Sequence, residues 1–452
     1  MQYYKPAGDY FVGDCMPFFH DGVFRLYYLL DHGHHGDLGG LGGHQWAQAS
    51  TTDLVHWTHH PLALPISDES EGSICTGSVF FWQGTYYAFY ATRLRDWKQH
   101  ASLATSTDGV HFTKAGGILA APPDGYSAFH YRDPVVIRQA DTGEFRLLIT
   151  AERENHPIAG RGGCLDHLVS RDLSTWRPCG PLILPGFHDV PECPDYFFWN
   201  GWYYLVFSNG GVARYRMSRQ PLGPWERPAM DLLDGGASRV MKTAAFGAKR
   251  RIGVSWIGMR ADDQDRGGLL FGGNAVFREL VQHADGSLGT RPVPEMQPPA
   301  RETFMPTPVA LTNGAQGAPG RVKLEALLGM DAAAVGGLPR DFRLTAEVSG
   351  VSGPGVFGLR LRRDGKGADS GYDLCLDPTE GTVRLHGQGL TRVTELRRPI
   401  RLEVTARGSI IDVCIDERRC VVDRCPEQQG DGLLFYAWNA AVTFANIRVM
   451  EL

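Results

Sequence analysis

The sequence predicts an all-β chain, a five-bladed β-propeller followed by a C-terminal β-sandwich. Three observations carry this prediction. Glycine is frequent at 56 residues, aromatics make up 11%, and long helical periodicity is scarce, a mix that favours short strands and many turns. A paired aromatic hairpin recurs five times before residue 297. Short alternating strands return from about residue 341, after a stretch of different composition.

In chain order, the hairpins run over 17–30 around Asp21-Gly22, 78–91 around Gln83-Gly84, 135–150 around Asp141-Thr142-Gly143, and 196–208 around Asn200-Gly201. A weaker fifth copy covers 241–257. Asn-Gly between two aromatic runs is a strong hairpin signal, because a type I′ turn needs two residues with positive φ. A second signature comes after each of the first four hairpins: Ser-Thr-Thr-Asp-Leu-Val-His-Trp at 50–57, Ser-Thr-Asp-Gly-Val-His-Phe at 106–112, Ser-Arg-Asp-Leu-Ser-Thr-Trp at 170–176 and Ser-Arg-Gln-Pro-Leu-Gly-Pro-Trp at 218–225. Units of this length with about four short strands read as propeller blades, over residues 1–296. A sandwich with coincidental hairpins is the competing reading. A six-bladed sialidase-type propeller is another, since Ser106-Thr107-Asp108-Gly109 is near its Asp box, but the spacing is off by one residue. Residues 297–340, with Pro298-Pro299, Pro306, Pro308 and Asn313-Gly314, read as a linker and first sandwich strands. Residues 341–452 read as a β-sandwich in a supporting or oligomerising role, or as an accessory sugar contact.

Composition excludes several partners. The net charge of −5 is spread along the chain with no basic stripe, so no nucleic acid is expected. No apolar run reaches membrane length. Nine cysteines at irregular spacing contain no CxxC pair, so no cysteine zinc site is expected. The first residues, Met1-Gln2-Tyr3-Tyr4-Lys5-Pro6, show no apolar leader core, and the reading is a cytoplasmic protein with reduced thiols, the mature form of an exported protein being the alternative.

Carboxylates fall where the hairpins begin. Asp14 precedes the first, Asp133 the third and Glu192 the fourth. The first strand of a blade lines the central channel, so the three acids are expected at one end of it, at the same phase. Convergent carboxylates repel, and such an arrangement usually has a task. They could bind Ca²⁺, or two of them could cleave a glycosidic bond. Trp46, Trp82, Trp97, Trp199, Trp202 and Trp256 near blade starts favour sugar, by stacking, whereas Trp57, Trp176 and Trp225 read as packing between blades. Arg132, beside Asp133, would hold a carboxylate ionised and could bond sugar hydroxyls. The segment from His32 to His44 holds four histidines among many glycines, and irregular spacing reads as a loop over the channel mouth rather than a metal site, with His44 and Gln45 touching hydroxyls.

These residues resemble glycoside hydrolase family 32, the invertase, inulinase and levanase family, over the whole chain. Glu192-Cys193-Pro194-Asp195 looks like its acid/base motif, and Arg132-Asp133-Pro134 like its Arg-Asp-Pro motif, whose Asp stabilises the transition state. Trp46 to Ser50 resembles the family's Trp-Gly-His-Ala stretch, and Asp53-Leu54-Val55-His56-Trp57 resembles its Asp-Leu-Val-His-Trp a few residues later. Phe277-Arg278-Glu279-Leu280, with Asp285-Gly286-Ser287-Leu288 and Pro292-Val293-Pro294-Glu295, resembles the end of its propeller. The departure lies at the nucleophile, where Phe11-Val12-Gly13-Asp14-Cys15-Met16-Pro17 keeps the Asp but lacks the family's flanking Asn residues. Trp-Gly-His-Ala has likewise become Trp46-Ala47-Gln48-Ala49.

The resemblance implies a retaining, exo-acting hydrolase of a furanoside, most directly a β-fructofuranoside, in an oligosaccharide or small glycoside. Asp14 would be the nucleophile, Glu192 the acid/base with its pKa raised by Asp14 and the apolar hairpin, and Asp133 the transition-state stabiliser. Arg132, Trp46, His44, Gln45, Ser78 and Trp256 are the expected substrate contacts, and no metal or cofactor is implied. Transfer to a second sugar, action on another furanoside such as an arabinofuranoside, and a non-catalytic sugar-binding propeller are the alternatives.

Overall fold

Turn chemistry sets the first pairings. Asp21 and Gly22 (φ 49° and 74°), Gln83 and Gly84 (49° and 83°), and Asn200 and Gly201 (44° and 84°) all take left-handed backbone, as a type I′ hairpin requires. In the computed structural model, which describes residues 1–38, 43–365, 367 and 369–452, every described regular element other than three short 3-10 turns is a strand. The chain is all-β. No helix among the described residues is long and apolar enough to cross a membrane.

The N-terminal strands form five successive antiparallel groups. The first comprises Tyr10–His20, Val23–His32, Gln45–Thr51 and Thr58–Leu64, and the second Glu71–Trp82, Thr85–Leu94, Gln99–Ser106 and Thr113–Lys114. The third is Tyr126–Arg138, Phe145–Arg153, Gly163–Ser170 and Arg177–Ile183. The fourth is Glu192–Trp199, Trp202–Asn209 and Val212–Ser218, and the fifth Ser238–Phe246, Arg250–Arg260, Leu269–Gln282 and Leu288–Arg291. The leading strands touch in a closed cycle, each meeting that of the next group and the fifth meeting the first.

The repeated polar signature is a side-chain-capped turn. Ser106 Oγ accepts the Asp108 and Gly109 N–H groups while Asp108 Oδ1 accepts those of Val110 and His111, and Thr51/Asp53 and Ser170/Asp172 repeat the pattern. The aromatic after each turn packs onto the preceding group. Phe112 meets Tyr27, Trp176 meets Phe89, and Trp57 of the first group meets Phe277 of the fifth.

From residue 303 the chain builds two antiparallel sheets around one core. Leu344, Val404 and Phe444 of one sheet pack with Phe357, Leu374 and Phe435 of the other. The stretch expected as a linker and first sandwich strands contributes strands to both: Arg321–Glu325 joins the first sheet and Met330–Val335 the second. The hairpin Ile410–Ile415/Arg419–Arg424 docks on the fifth group through Arg424 Nε to Gly258 O (2.6 Å) and Arg260 to Asp423 (3.1 Å). That face of the C-terminal sheets is therefore occupied within the chain.

Candidate active site

All five leading strands break their pairing register at one level. The bulges fall at Gly13–Asp14, Cys75–Thr76, Asp133–Pro134, Cys193–Pro194 and Val240–Met241. A bulge turns a side chain that would alternate away from the channel. Proline suits such positions because it has no N–H to give to a ladder. Asp133, Cys193 and Val240, first in their bulges, all have positive φ (57°, 50° and 52°). The three acids reach the centre from staggered positions: Asp14 is second in its bulge, Asp133 is first, and Glu192 precedes its own. The expectation of one common phase is corrected by one residue per strand.

The acids line a single cavity of about 690 Å³, together with Arg132, His44 and Trp256. Asp14 is buried and held by three donors. Thr76 Oγ1 (2.5 Å) and Cys193 Sγ (3.4 Å) give to Oδ2, and Trp256 Nε1 (2.9 Å) gives to Oδ1. Asp133, only 2% exposed, accepts from Thr150 Oγ1 (3.1 Å) and the Cys193 N–H (3.0 Å) through Oδ2. Cys193 thus bridges Asp14 and Asp133. Burial, reinforced by the three acids, holds its thiol well above its ordinary pKa, so it stays a donor.

Arg132 gives its shortest bond to Glu192 Oε1 (2.7 Å) and lies 3.5 Å from Asp133 Oδ2. Arg132 is expected to hold a carboxylate ionised, and at Asp133 burial opposes it, pushing the carboxyl up to about 6 against the pull of Arg132, with Glu192 and Asp14 adding to the rise. The Glu192 side chain is 32% exposed, reachable from the cavity, and its polar partner is Arg132 rather than the aromatic hairpin behind it.

Three expected sugar contacts lie elsewhere. Trp46 is wholly buried, its Nε1 giving to Cys75 O (2.9 Å), because the alternation of its strand turns it into the core. Gln45 is used structurally, its Oε1 accepting the Ile66 N–H (3.0 Å). Ser78 lies past the bulge and lines a separate cavity of about 820 Å³, further along the same leading strands among Phe18, Phe80 and Phe197. Residues that sequence reasoning passes over take part instead. Thr76 bonds Asp14, and half-exposed Phe129 lines the acid-bearing cavity as a flat apolar surface suited to a sugar face, beside Trp97, one of the tryptophans expected to stack on sugar. Of the histidine-rich segment, 39–42 lie outside the described residues. His35 and His44 line the cavity, with Asp31 beside them.

The profile described as "Glycosyl hydrolases family 32 N-terminal domain" matches residues 14–267. Among curated proteins, a sucrose-6-phosphate hydrolase of Escherichia coli is 27% identical over 294 residues, covering 58% of this chain and 59% of that protein. A sucrose-6-phosphate hydrolase of Bacillus subtilis is 33% identical over 184 residues, covering 38% and 36%. These matches span between about a third and three fifths of the relatives' own length. In fold the chain is similar to fructan 1-exohydrolase IIa from Cichorium intybus, with a TM-score of 0.72 at 16% identity over 98% of this chain and 96% of that one. It is also similar to sucrose-6-phosphate hydrolase from Lactobacillus gasseri, with a TM-score of 0.70 at 17% identity over 98% and 90%.

Proposed function

The chain belongs to glycosyl hydrolase family 32, and on that premise we propose that it is a retaining, exo-acting glycoside hydrolase of furanosides, a β-fructofuranoside first among them. In this reading the five strand groups, residues 1–296, are the blades of a five-bladed propeller, 297–340 are the connection with the first sandwich strands, and 341–452 complete the sandwich. The observation that carries the reading is the convergence of Asp14, Asp133, Glu192 and Arg132 on one cavity. The relatives' names point to the sugar: sucrose-6-phosphate hydrolase, raffinose invertase and levanase.

The chemistry divides by environment. Asp14, fixed by three donors, attacks the anomeric carbon as the glycosidic bond breaks. Glu192 gives its proton to the leaving oxygen, then takes one from the water that releases the sugar. Arg132 holds Oε1, which leaves the other oxygen of Glu192 for this exchange. Asp133 faces the ring as positive charge develops, and its low-dielectric setting strengthens that interaction.

The test is a panel of sucrose, sucrose 6-phosphate, inulin and aryl arabinofuranosides, with products followed by chromatography and the first-formed anomer by NMR. Retention with release of fructose supports the proposal. An inverted product, which goes with carboxyls farther apart than the roughly 5–5.5 Å of retaining enzymes, would remove the nucleophile role of Asp14. Turnover of arabinofuranosides alone would move the substrate. Binding of these sugars without turnover would leave a carbohydrate-binding module.

A further inference from the structure

Three ligating atoms outside the acid triad meet on the wall of the same cavity. Asp31 lies near the end of Val23–His32, His35 lies in the 3-10 turn Gly33–Leu38, and His44 stands just before Gln45–Thr51. Asp31 Oδ1, His35 Nδ1 and His44 Nε2 lie within 4.8 Å of one another. His44 Nε2 is 3.1 Å from His35 Nδ1 and 3.3 Å from Asp31 Oδ1, and His35 Nδ1 touches Asp31 Oδ1. Asp31 is 1% exposed and His44 4%.

Hydrogen bonding satisfies this triangle poorly. A carboxylate oxygen only accepts, so each imidazole can direct one proton at Asp31. The contact between the two imidazole nitrogens then sets donor against donor. If one nitrogen gives its proton to the other instead, its bond to Asp31 is lost. Asp31 Oδ2 and His44 Nδ1 are also buried with no hydrogen-bond partner among the described residues. A cation between Asp31 Oδ1, His35 Nδ1 and His44 Nε2 removes the conflict, because each of the three then gives it a lone pair. Four ligands at about 2.0–2.1 Å around tetrahedral zinc stand roughly 3.3 Å apart, close to the two longer edges here. Two imidazoles and one carboxylate suit zinc-class transition metals, whereas calcium and magnesium prefer all-oxygen shells.

We propose that Asp31, His35 and His44 bind one divalent transition-metal cation of the zinc class on the wall of the acid-lined cavity. The ion ties the start of the second strand's connection to the start of the third strand. Phe271 stacks against His35 (4.5 Å) and His44 (4.8 Å) and reaches Trp256 (4.9 Å), the residue that bonds Asp14. Three protein ligands leave a coordination position for water or a sugar hydroxyl, and His35 and His44 both line the cavity. The site stands on its own geometry and does not depend on the hydrolase reading.

The experiment strips the whole protein with a chelator and titrates it with Co²⁺ alone, then with Zn²⁺. The expected result is one cobalt per chain with the intense visible bands of four-coordinate geometry, displaced by one zinc. His35→Ala, in a short 3-10 turn, should keep the fold by circular dichroism and weaken cobalt binding by about a hundredfold or more, because one of three ligands is gone. Glu192→Gln should bind cobalt as the wild type does, which separates this site from the acid triad. Absence of stoichiometric binding, unchanged binding in His35→Ala, or a near-ultraviolet sulfur charge-transfer band placing the ion on cysteine would each overturn the proposal.

Discussion

Arg278 and Arg132 each hold carboxylates inside the protein, under opposite conditions. Arg278 has no exposed surface, and its whole fork is used: Nε bonds Asp234 (2.7 Å), and Nη1 and Nη2 bond Asp412 (2.7 and 2.8 Å). Tyr3 adds a further donor to Asp412. Arg132 faces two acids, bonds Glu192 well, lies farther from Asp133, and spends Nη1 on His130 (2.8 Å). The first cluster welds the C-terminal sheets to the fifth strand group. The second sets three carboxylates beside a cavity, with Arg132 as the ion-pair partner of two of them. A buried charge cluster whose donors are fully matched reads as structural, and one left in surplus beside open space reads as functional.

The largest expected effect lies in the surplus cluster. Glu192→Gln and Asp14→Asn should each lower turnover by about 10²–10⁴-fold or more while thermal unfolding moves little. Initial rates beside a melting curve check this, and a variant within tenfold of wild type would sink the assignment of roles. The matched cluster should respond the other way. Arg278→Met strands two buried aspartates and should cost about 3–5 kcal/mol of stability, with kcat per folded molecule unchanged. Adding Asp234→Asn and Asp412→Asn to that variant should recover much of the loss, read by denaturant midpoints. A stable Arg278→Met protein would undo the contrast.

A smaller effect follows the pH at the cavity. Asp133 titrates at about 6 when folded against about 3.9 when unfolded, so its burial favours the protonated form. Its contribution to stability is therefore fully present below about pH 4 and is lost as pH rises through about 6. Asp133→Asn, which mimics the protonated state, should raise the melting temperature at pH 8, by an amount equivalent to about 1–3 kcal/mol, and the difference should close at pH 4. Wild-type kcat/KM should fall below about pH 6 as Asp133 takes up its proton. An Asp133→Asn variant less stable than wild type at pH 8 would show that the hydrogen bonds to Cys193 and Thr150 outweigh the buried charge.

Much of the site is legible in the sequence because each acid stands just before an aromatic hairpin, and hairpins are local. Asp14, Asp133 and Glu192 emerge that way. Their stagger does not, because a bulge breaks alternation without altering composition. Pro134 and Pro194, inside strands that read as central, are the available signal. Trp46 misleads because an aromatic near a strand start has two faces to choose from, and only the pairing Leu29↔Trp46 shows which one is buried. The meeting of Asp31 with His35 and His44 depends on two strand ends brought together by pairing, which irregular spacing does not reveal. The strands in 303–335 are short and separated by glycine- and proline-bearing connections, so their order comes from partners distant in sequence, among them Ala441–Glu451 and Gly432–Trp438.

The smallest effect tests how complete the matched cluster is. Tyr3 Oη gives to Asp412 Oδ2 at 2.6 Å, and burial first, then the charge of Asp412, keeps the phenol protonated. Tyr3→Phe removes that donor and leaves the ring in place. Asp412 still accepts both Arg278 bonds, so no carboxylate is stranded. The expected loss is about 1 kcal/mol, a single hydrogen bond in a network otherwise intact, with activity unchanged. A loss as large as that of Arg278→Met would mean that the network depends on the hydroxyl as much as on the cation, and the clusters would differ in position rather than in principle.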